Sequence, residues 1–301
     1  MVEIDLKDNR LNRKFQELSL KNECALSCYI VAGYPTESGT EEIASTLVEA
    51  GVDIIEIGIP FSDPIADGPT IQEASNIALL NGITPEKCFK ICSNIRRKFP
   101  DLPLVVMTYS NIVFRPGLEN FIIRSKKCGI DGFILPDMTV EESRTYVNKA
   151  SALGLATIFL VSPNTDKNRL DQILNMSSGF LYVVSVFGIT GVREAFEEYT
   201  LETIRLIKRV TKGKIPVAVG FGISKPHHIM SMVEAGADAV IVGSAIIDKI
   251  KKYSSNKKTM LIQLRSFIKE MKTVCNKKEV NKNKSSKDIH FSNSELRNDT
   301  S

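Results

Sequence analysis

The sequence predicts a (β/α)8 TIM barrel with an extra N-terminal helix, and three observations predict it. Eight short β-rich runs alternate with amphipathic helical stretches, the runs are apolar throughout, and one helix-to-strand phrase recurs along the chain. Strands that are apolar at every position belong to a parallel sheet covered on both faces. The recurring phrase is EAGVDII at 49–55 and EAGADAV at 234–240, with a weaker copy, KCGIDGF, at 127–133. Each copy reads as a helix end, a glycine C-cap and entry to the next strand. Eight αβ units in roughly 250 residues fill one barrel, whose working loops follow the strand C-termini. A doubly wound open sheet is the alternative; no GxGxxG follows the first strand, and the count reaches eight.

In chain order, a helix is expected over about residues 8–20, then strands at 26–32 (LSCYIVA), 54–59 (IIEIGI), 104–109 (LVVMTY) and 132–135 (GFIL). The remaining strands are expected at 156–161 (ATIFLV), 180–184 (FLYVV), 216–219 (PVAV) and 239–242 (AVIV). Helices fall between them at 38–50, 70–80 with a second piece at 85–98, 117–127, 139–153, 166–176, 197–211, 225–235 and 244–253. Residues 1–272 form a single catalytic barrel in this reading. Beyond it, 273–301 is rich in Asn, Lys and Ser, poor in apolar residues, and expected to be disordered.

Composition narrows the function. A hydrophobic share of 43% and a charged share of 25% are those of a soluble globular protein with ample core. No apolar run approaches the roughly 18 to 20 residues of a membrane span, and the charged N-terminus lacks a signal-peptide core, so a cytoplasmic location is expected. Six scattered cysteines and three histidines argue against a disulfide framework, a zinc site or Cys–His catalysis, and no metal is expected. Residues 249–284 carry a charge of +10 and the remainder −6. That basic stretch has few aromatics and lies on and beyond a terminal helix, so a solvated face is favoured over nucleic-acid binding.

Two acids stand out in residues 54–72, IIEIGIPFSDPIADGPTIQ. If Ile55, Ile57 and Ile59 pack outward, Glu56 points into the barrel near its top, where desolvation raises a carboxyl pKa towards the range useful for proton transfer. The structural alternative is a buried ion pair, but the neighbouring runs LSCYIVA and LVVMTY offer no inward Lys or Arg. Asp67 precedes a helix, as an N-cap would; Thr70 is a rival cap that would free it. The loop VFGITGVR at 186–193 suits a lid, or is a plain connection. Glycines after the last two strands, at Gly220, Gly222 and Gly243 with Ser244, suit a phosphate at a helix N-terminus, against simple capping by Ser224 and Ser244. Another phosphate-binding barrel enzyme, an isomerase or cyclase, stays open on these residues; it would be expected to carry paired strand-end aspartates or a catalytic lysine.

With these residues in place, the chain resembles the tryptophan synthase α subunit family over about residues 8–270. The most specific element is PFSDPIADGPTIQ at 60–72 preceded by Glu56, supported by YSNIVF at 109–114, GITG at 188–191, GFGIS at 220–224 and Gly243-Ser244. The resemblance implies retro-aldol cleavage of indole-3-glycerol phosphate to indole and glyceraldehyde 3-phosphate. It implies Glu56 as the proton carrier, Asp67 at the indole N–H, and Thr190 aligning Asp67 when its loop closes. It further implies Tyr29, Met107, Tyr109, Tyr182 and Phe221 as substrate contacts, and Gly191, Gly220, Gly222, Gly243 and Ser244 around the phosphate. The family works as an α2β2 heterotetramer in which indole passes to a β subunit holding pyridoxal phosphate (PLP). No cofactor is then expected in this chain, and the 60–64 stretch would touch the partner. A chain that mainly activates its β partner is the non-catalytic alternative.

Overall fold

The computed structural model describes residues 9–184, 193–220 and 222–276, residues 193–197 by backbone only. An N-terminal helix α1 (Arg10–Lys21) leads into β1 (Ala25–Val31), α2 (Glu37–Glu49), β2 (Ile54–Gly58), α3 (Pro69–Leu80) and α4 (Pro85–Lys98). Then follow β3 (Leu104–Met107), α5 (Ser110–Phe114), α6 (Leu118–Lys127), β4 (Gly132–Ile134), α7 (Arg144–Ala152), β5 (Ala156–Ile158) and β6 (Leu160–Val161). The chain continues through α8 (Lys167–Met176), β7 (Leu181–Val184), α9 (Arg193–Thr211), β8 (Val217–Gly220), α10 (Pro226–Glu234), β9 (Ala239–Val242), α11 (Ser244–Tyr253) and α12 (Lys257–Thr273).

All strand pairs are parallel, in the order β5-β4-β3-β2-β1-β9-β8-β7-β6. The two ends of that order are consecutive in the chain, separated by Phe159 alone. The fifth expected strand is therefore two pieces, one paired with β4 and one with β7, and Tyr182 N–H donates to Phe159 O at 3.0 Å. The ring closes through this bend, and the fold is the expected TIM barrel. Several helix bounds differ from the sequence reading. α7 begins at Arg144 rather than 139 and α9 at Arg193 rather than 197, while the five-residue α5 and the long α12 occupy stretches for which no helix bounds were expected.

The recurring phrase is a stitch at the N-terminal ends of the strands. In each copy the glycine adopts positive φ (Gly51 +108°, Gly129 +78°, Gly236 +102°), which closes the preceding helix. The aspartate two residues on accepts the backbone N–H of a neighbouring strand: Asp53 from Leu26 at 2.8 Å, Asp131 from Leu104 at 2.9 Å, Asp238 from Val217 at 2.9 Å. A basic side chain lies across each glycine to reach the same carboxylate: Lys272 at 2.6 Å, Arg96 at 2.8 Å and Lys208 at 2.6 Å. A Cβ on Gly129 would stand 2.5 Å from Arg96 Cγ, so the missing side chain makes room for the cation.

The basic terminal stretch finds its acids in α2 and its surroundings. Lys257 pairs with Glu42, Arg265 with Glu49, Lys272 with Asp53, and Lys251 with Glu73 on α3. These are mostly exposed pairs, worth about 0–1 kcal/mol each. Order continues past the boundary expected at 273: Cys275 is buried, Cys24 N–H donates to Cys275 O at 2.8 Å, and Glu23 bridges Asn276. Residues 277–301 lie outside the described residues. A chain ended after Thr273 is expected to lose roughly 1–2 kcal/mol, from one buried thiol and one backbone hydrogen bond. In calorimetry it should melt a few degrees below a chain ended after Asn276.

Candidate functional site

Alternation along β1 and β2 builds the acid end of the site. Register pairs Ser27 with Ile54, Tyr29 with Glu56 and Val31 with Gly58, so these six residues face the barrel interior in stacked layers. Ile55 and Ile57 face outward and are fully buried beneath the helices, as expected. Glu56 is 0% exposed, and burial pushes its pKa up to about 7, while a hydrogen bond from Ser27 pulls the other way. Ser27 Oγ donates to Glu56 Oε1 at 2.8 Å, and Oε2 has no hydrogen-bond partner among the described residues. The ion-pair reading of Glu56 finds no cation among the described residues.

Asp67 does not cap α3. Gly68 occupies the N-cap with no side-chain bond, and Pro69, which has no N–H, takes the first helical position. Nor does Thr70 cap it, contrary to the sequence reading; its hydroxyl reaches Asp248 at 3.3 Å. Asp67 is instead half-buried, and the burial it has raises its carboxyl above the ordinary value, partly offset by a hydrogen bond from the Tyr109 hydroxyl. That hydroxyl also accepts from Ala66 N–H at 3.2 Å, and the Tyr109 ring lies 5.3 Å from that of Phe61. Tyr109 thus ties down the loop that carries Asp67. Burial pushes its phenol above the ordinary range, so it remains a donor. The next residue, Ser110, is in turn held by Asp137, on the loop after β4. Both Asp137 carboxylate oxygens accept Ser110 N–H at 3.0 Å, and Oδ1 also accepts Ser110 Oγ at 3.0 Å. This tertiary cap starts α5 and was not legible in the local sequence.

A cavity of about 260 Å3 opens at the C-terminal ends of the strands. Its lining brings together Tyr29, Asp67, Met107, Tyr182, Gly222, Gly243 and Ser244 of the expected site, and adds Pro69, Ile71 and Ile241. Tyr109 stands behind Asp67 rather than on the wall, and Gly220 lies against the Tyr182 hydroxyl. Thr190, Gly191 and Phe221 lie outside the described residues. Gly243 is the N-cap of α11, which starts at Ser244 with no side-chain cap, leaving first-turn amides for an anion. Gly222, at φ +75°, supplies a backbone that a side chain would strain.

Two glycines are set by the tyrosines that reach across them. A Cβ on Gly58 would lie 2.1 Å from the Tyr29 hydroxyl, and one on Gly220 would lie 2.1 Å from the Tyr182 hydroxyl. Gly58→Ala is therefore expected to displace the Tyr29 ring and to destabilise by about 1–3 kcal/mol in urea unfolding, the usual cost of overpacking.

A sequence model of the family described as "Tryptophan synthase alpha chain" matches residues 15–276. The chain is 45% identical over 263 residues to the tryptophan synthase alpha chain of Methanosarcina barkeri, covering 86% of this chain and 97% of that one. It is 46% identical over 245 residues to that of Methanocaldococcus jannaschii, covering 81% and 85%. Among solved structures it is similar to a chain of the aminoacrylate-bound tryptophan synthase of M. tuberculosis, with TM-score 0.78, 31% identity and coverage of 89% and 99%. It is also similar to a chain of the tryptophan synthase a2b2 complex of Pyrococcus furiosus, with TM-score 0.75, 36% identity and coverage of 83% and 98%.

Proposed function

The chain belongs to the tryptophan synthase alpha chain family, lyases that cleave indole-3-glycerol phosphate in tryptophan biosynthesis, and from that premise we propose that its reacting groups are Glu56 and Asp67. The observation that carries the proposal is the pair of environments: a wholly buried Glu56 with one oxygen unpartnered, and Asp67 tethered at the mouth of the cavity.

Cleavage breaks the bond from ring C3 to the side-chain carbon that bears a hydroxyl. Neutral Glu56 gives its proton to C3, which places positive charge on the indole nitrogen; the Asp67 carboxylate faces that charge. As the C–C bond breaks, its electron pair returns to the ring. The hydroxyl becomes the aldehyde carbonyl, and its proton goes to Glu56, which ends as it began. Tyr29, Met107 and Tyr182 wall the ring. The first-turn amides of α11, with Gly222 and Gly243, hold the phosphate. Thr190, Gly191 and Phe221 enter through the family motif alone.

The working form needs Glu56 protonated and Asp67 ionised. Indole release assayed across roughly pH 5 to 9 should therefore fall on the alkaline side with a midpoint near Glu56's pKa of about 7. It should fall on the acid side as Asp67 takes a proton, and Asp67→Asn should abolish that limb. Turnover that is flat in pH in the wild type would sink the assignment.

The same proposal includes a β-subunit partner. The loop that carries Asp67 exposes Ile65 at 79%, and a groove of about 690 Å3 behind it is lined by Pro60, Phe61, Phe89, Ile112 and Phe121 among others. We assign this surface to the β subunit, in an α2β2 assembly whose PLP resides in the partner. Binding there would press on the loop that Tyr109 tethers, so partner and catalytic acid are mechanically linked.

A further inference from the structure

Among the described residues one hydrogen bond holds the Glu56 carboxyl, and its donor is a residue that no motif contains. Ser27 lies one layer below Glu56 in the barrel and is 1% exposed. Its Oγ is 2.8 Å from Glu56 Oε1 and 3.4 Å from Ile54 O. A serine hydroxyl has one proton, and the shorter contact to a carboxyl oxygen takes it. The two Glu56 oxygens are therefore unlike: Oε1 is already an acceptor, while Oε2 has no partner among the described residues. In the neutral acid the proton resides on the oxygen that is not accepting, so the acidic O–H is at Oε2.

We propose that Ser27 is a positioning residue that reserves Glu56 Oε2 as the atom that gives and takes the proton, a proposal that rests on the assignment of Glu56 above. The proton leaves Oε2 for ring C3 and returns to Oε2 from the substrate hydroxyl, while Ser27 keeps its own proton throughout. After the first transfer, Ser27 steadies the carboxylate that has just formed in a dry site. Without it, burial acts unopposed and Glu56 releases its proton less readily.

Among the described residues, the Glu56 charge acts on Tyr29 and Cys28 on β1 and on Tyr182 on β7, all raised well above their ordinary values, chiefly by burial. They stay neutral where Glu56 titrates. Asp67, on the loop beyond β2, belongs to the acid limb of the profile. The alkaline limb therefore reports Glu56.

The test is a pH profile of indole release by Ser27→Ala, with Ser27→Thr as the variant that keeps a hydroxyl. Ser27→Ala is expected to lower kcat about tenfold with KM little changed, the scale of a lost hydrogen bond to a charged group. Its alkaline limb should move to higher pH, and Ser27→Thr should return it towards the wild-type position. In the Glu56→Gln background, Ser27→Ala should cost nothing further. Carbon-13 NMR titration of the Glu56 carboxyl gives the same shift independently of turnover, and thermal melting confirms that each variant is folded. A folded Ser27→Ala protein whose limb and carboxyl titration stay in place would overturn the inference, as would an additive loss in the double variant. Unchanged turnover in Glu56→Gln alone would instead remove the assignment of Glu56; an inactive Glu56→Gln beside an unshifted Ser27→Ala would remove only the role of Ser27.

Discussion

Glu56→Gln is expected to lower kcat for indole release by about 10² to 10⁴-fold, the usual contribution of a positioned general acid–base group. The substitution keeps the volume and the acceptor that Ser27 needs, because the Gln carbonyl can occupy the place of Oε1. What it removes is the proton at Oε2. KM should change little, since Glu56 is buried beneath the tyrosine wall and makes its contribution at the reacting carbon. A second consequence has the opposite sign. The carboxyl is raised from an ordinary 4.5 to about 7 in the folded protein. Between those values the folded state holds a proton that the unfolded chain has released. Stability therefore falls as pH rises from about 4.5 to 7 and is level above that, by about 3 kcal/mol in all at 1.36 kcal/mol per unit. Gln carries no such penalty. Relative to the wild type, the variant should gain stability between these two pH values, whatever fixed cost its amide brings. Equilibrium unfolding at both ends of that range checks this. An active variant, or a stability difference that does not vary with pH, would remove Glu56 from its proposed role.

What could be seen in the sequence, and what could not, follows from the range of the interactions involved. The barrel was legible because burial on both faces makes each strand uniformly apolar, a signal carried by four or five adjacent residues. Glu56 was legible for the same reason: a lone acid in such a run must face inward or break the pattern, and the alternating isoleucines decide which. The glycines at 222 and 243 announced themselves by their place after the strands. By contrast, Thr70 looked like a cap because capping is judged from three neighbouring residues, whereas Pro69 had already settled the helix start. The helix α5 depends on Asp137, which is 27 residues away, and local propensity cannot show it. Ser27 is intermediate. Its polarity within LSCYIVA is visible, but only the register of β1 against β2 sets it beneath Glu56. The repeated phrase was read correctly as a junction; that its aspartate and an unrelated cation form a stitch needed the third dimension.

Asp131→Ala should be the most destabilising change at the opposite end of the barrel, costing about 3–5 kcal/mol, the range for breaking a buried ion pair by removing one partner. Asp131 is 4% exposed at its side chain and serves two cations, Arg96 at 2.8 Å and Arg10 at 2.9 Å, besides the Leu104 amide. Removing it strands Arg96, whose side chain is 12% exposed, although carbonyls of Gly129, Phe99 and Pro100 still receive its other N–H groups. The other two stitches are wetter, with Asp53 at 11% facing Lys272 at 24%, and Asp238 at 24% facing Lys208 at 27%. A stranded lysine with water at hand recovers most of its solvation, so these losses should be smaller, about 1–2 kcal/mol each. The expected order in urea unfolding is thus Asp131→Ala, then Asp53→Ala, then Asp238→Ala, with kcat unchanged in all three below their melting temperatures. The bottom face of such a barrel serves stability and the top face chemistry. Equal costs at the three sites would show that the shared backbone amide, rather than the cation lying over the glycine, carries the energy of the stitch.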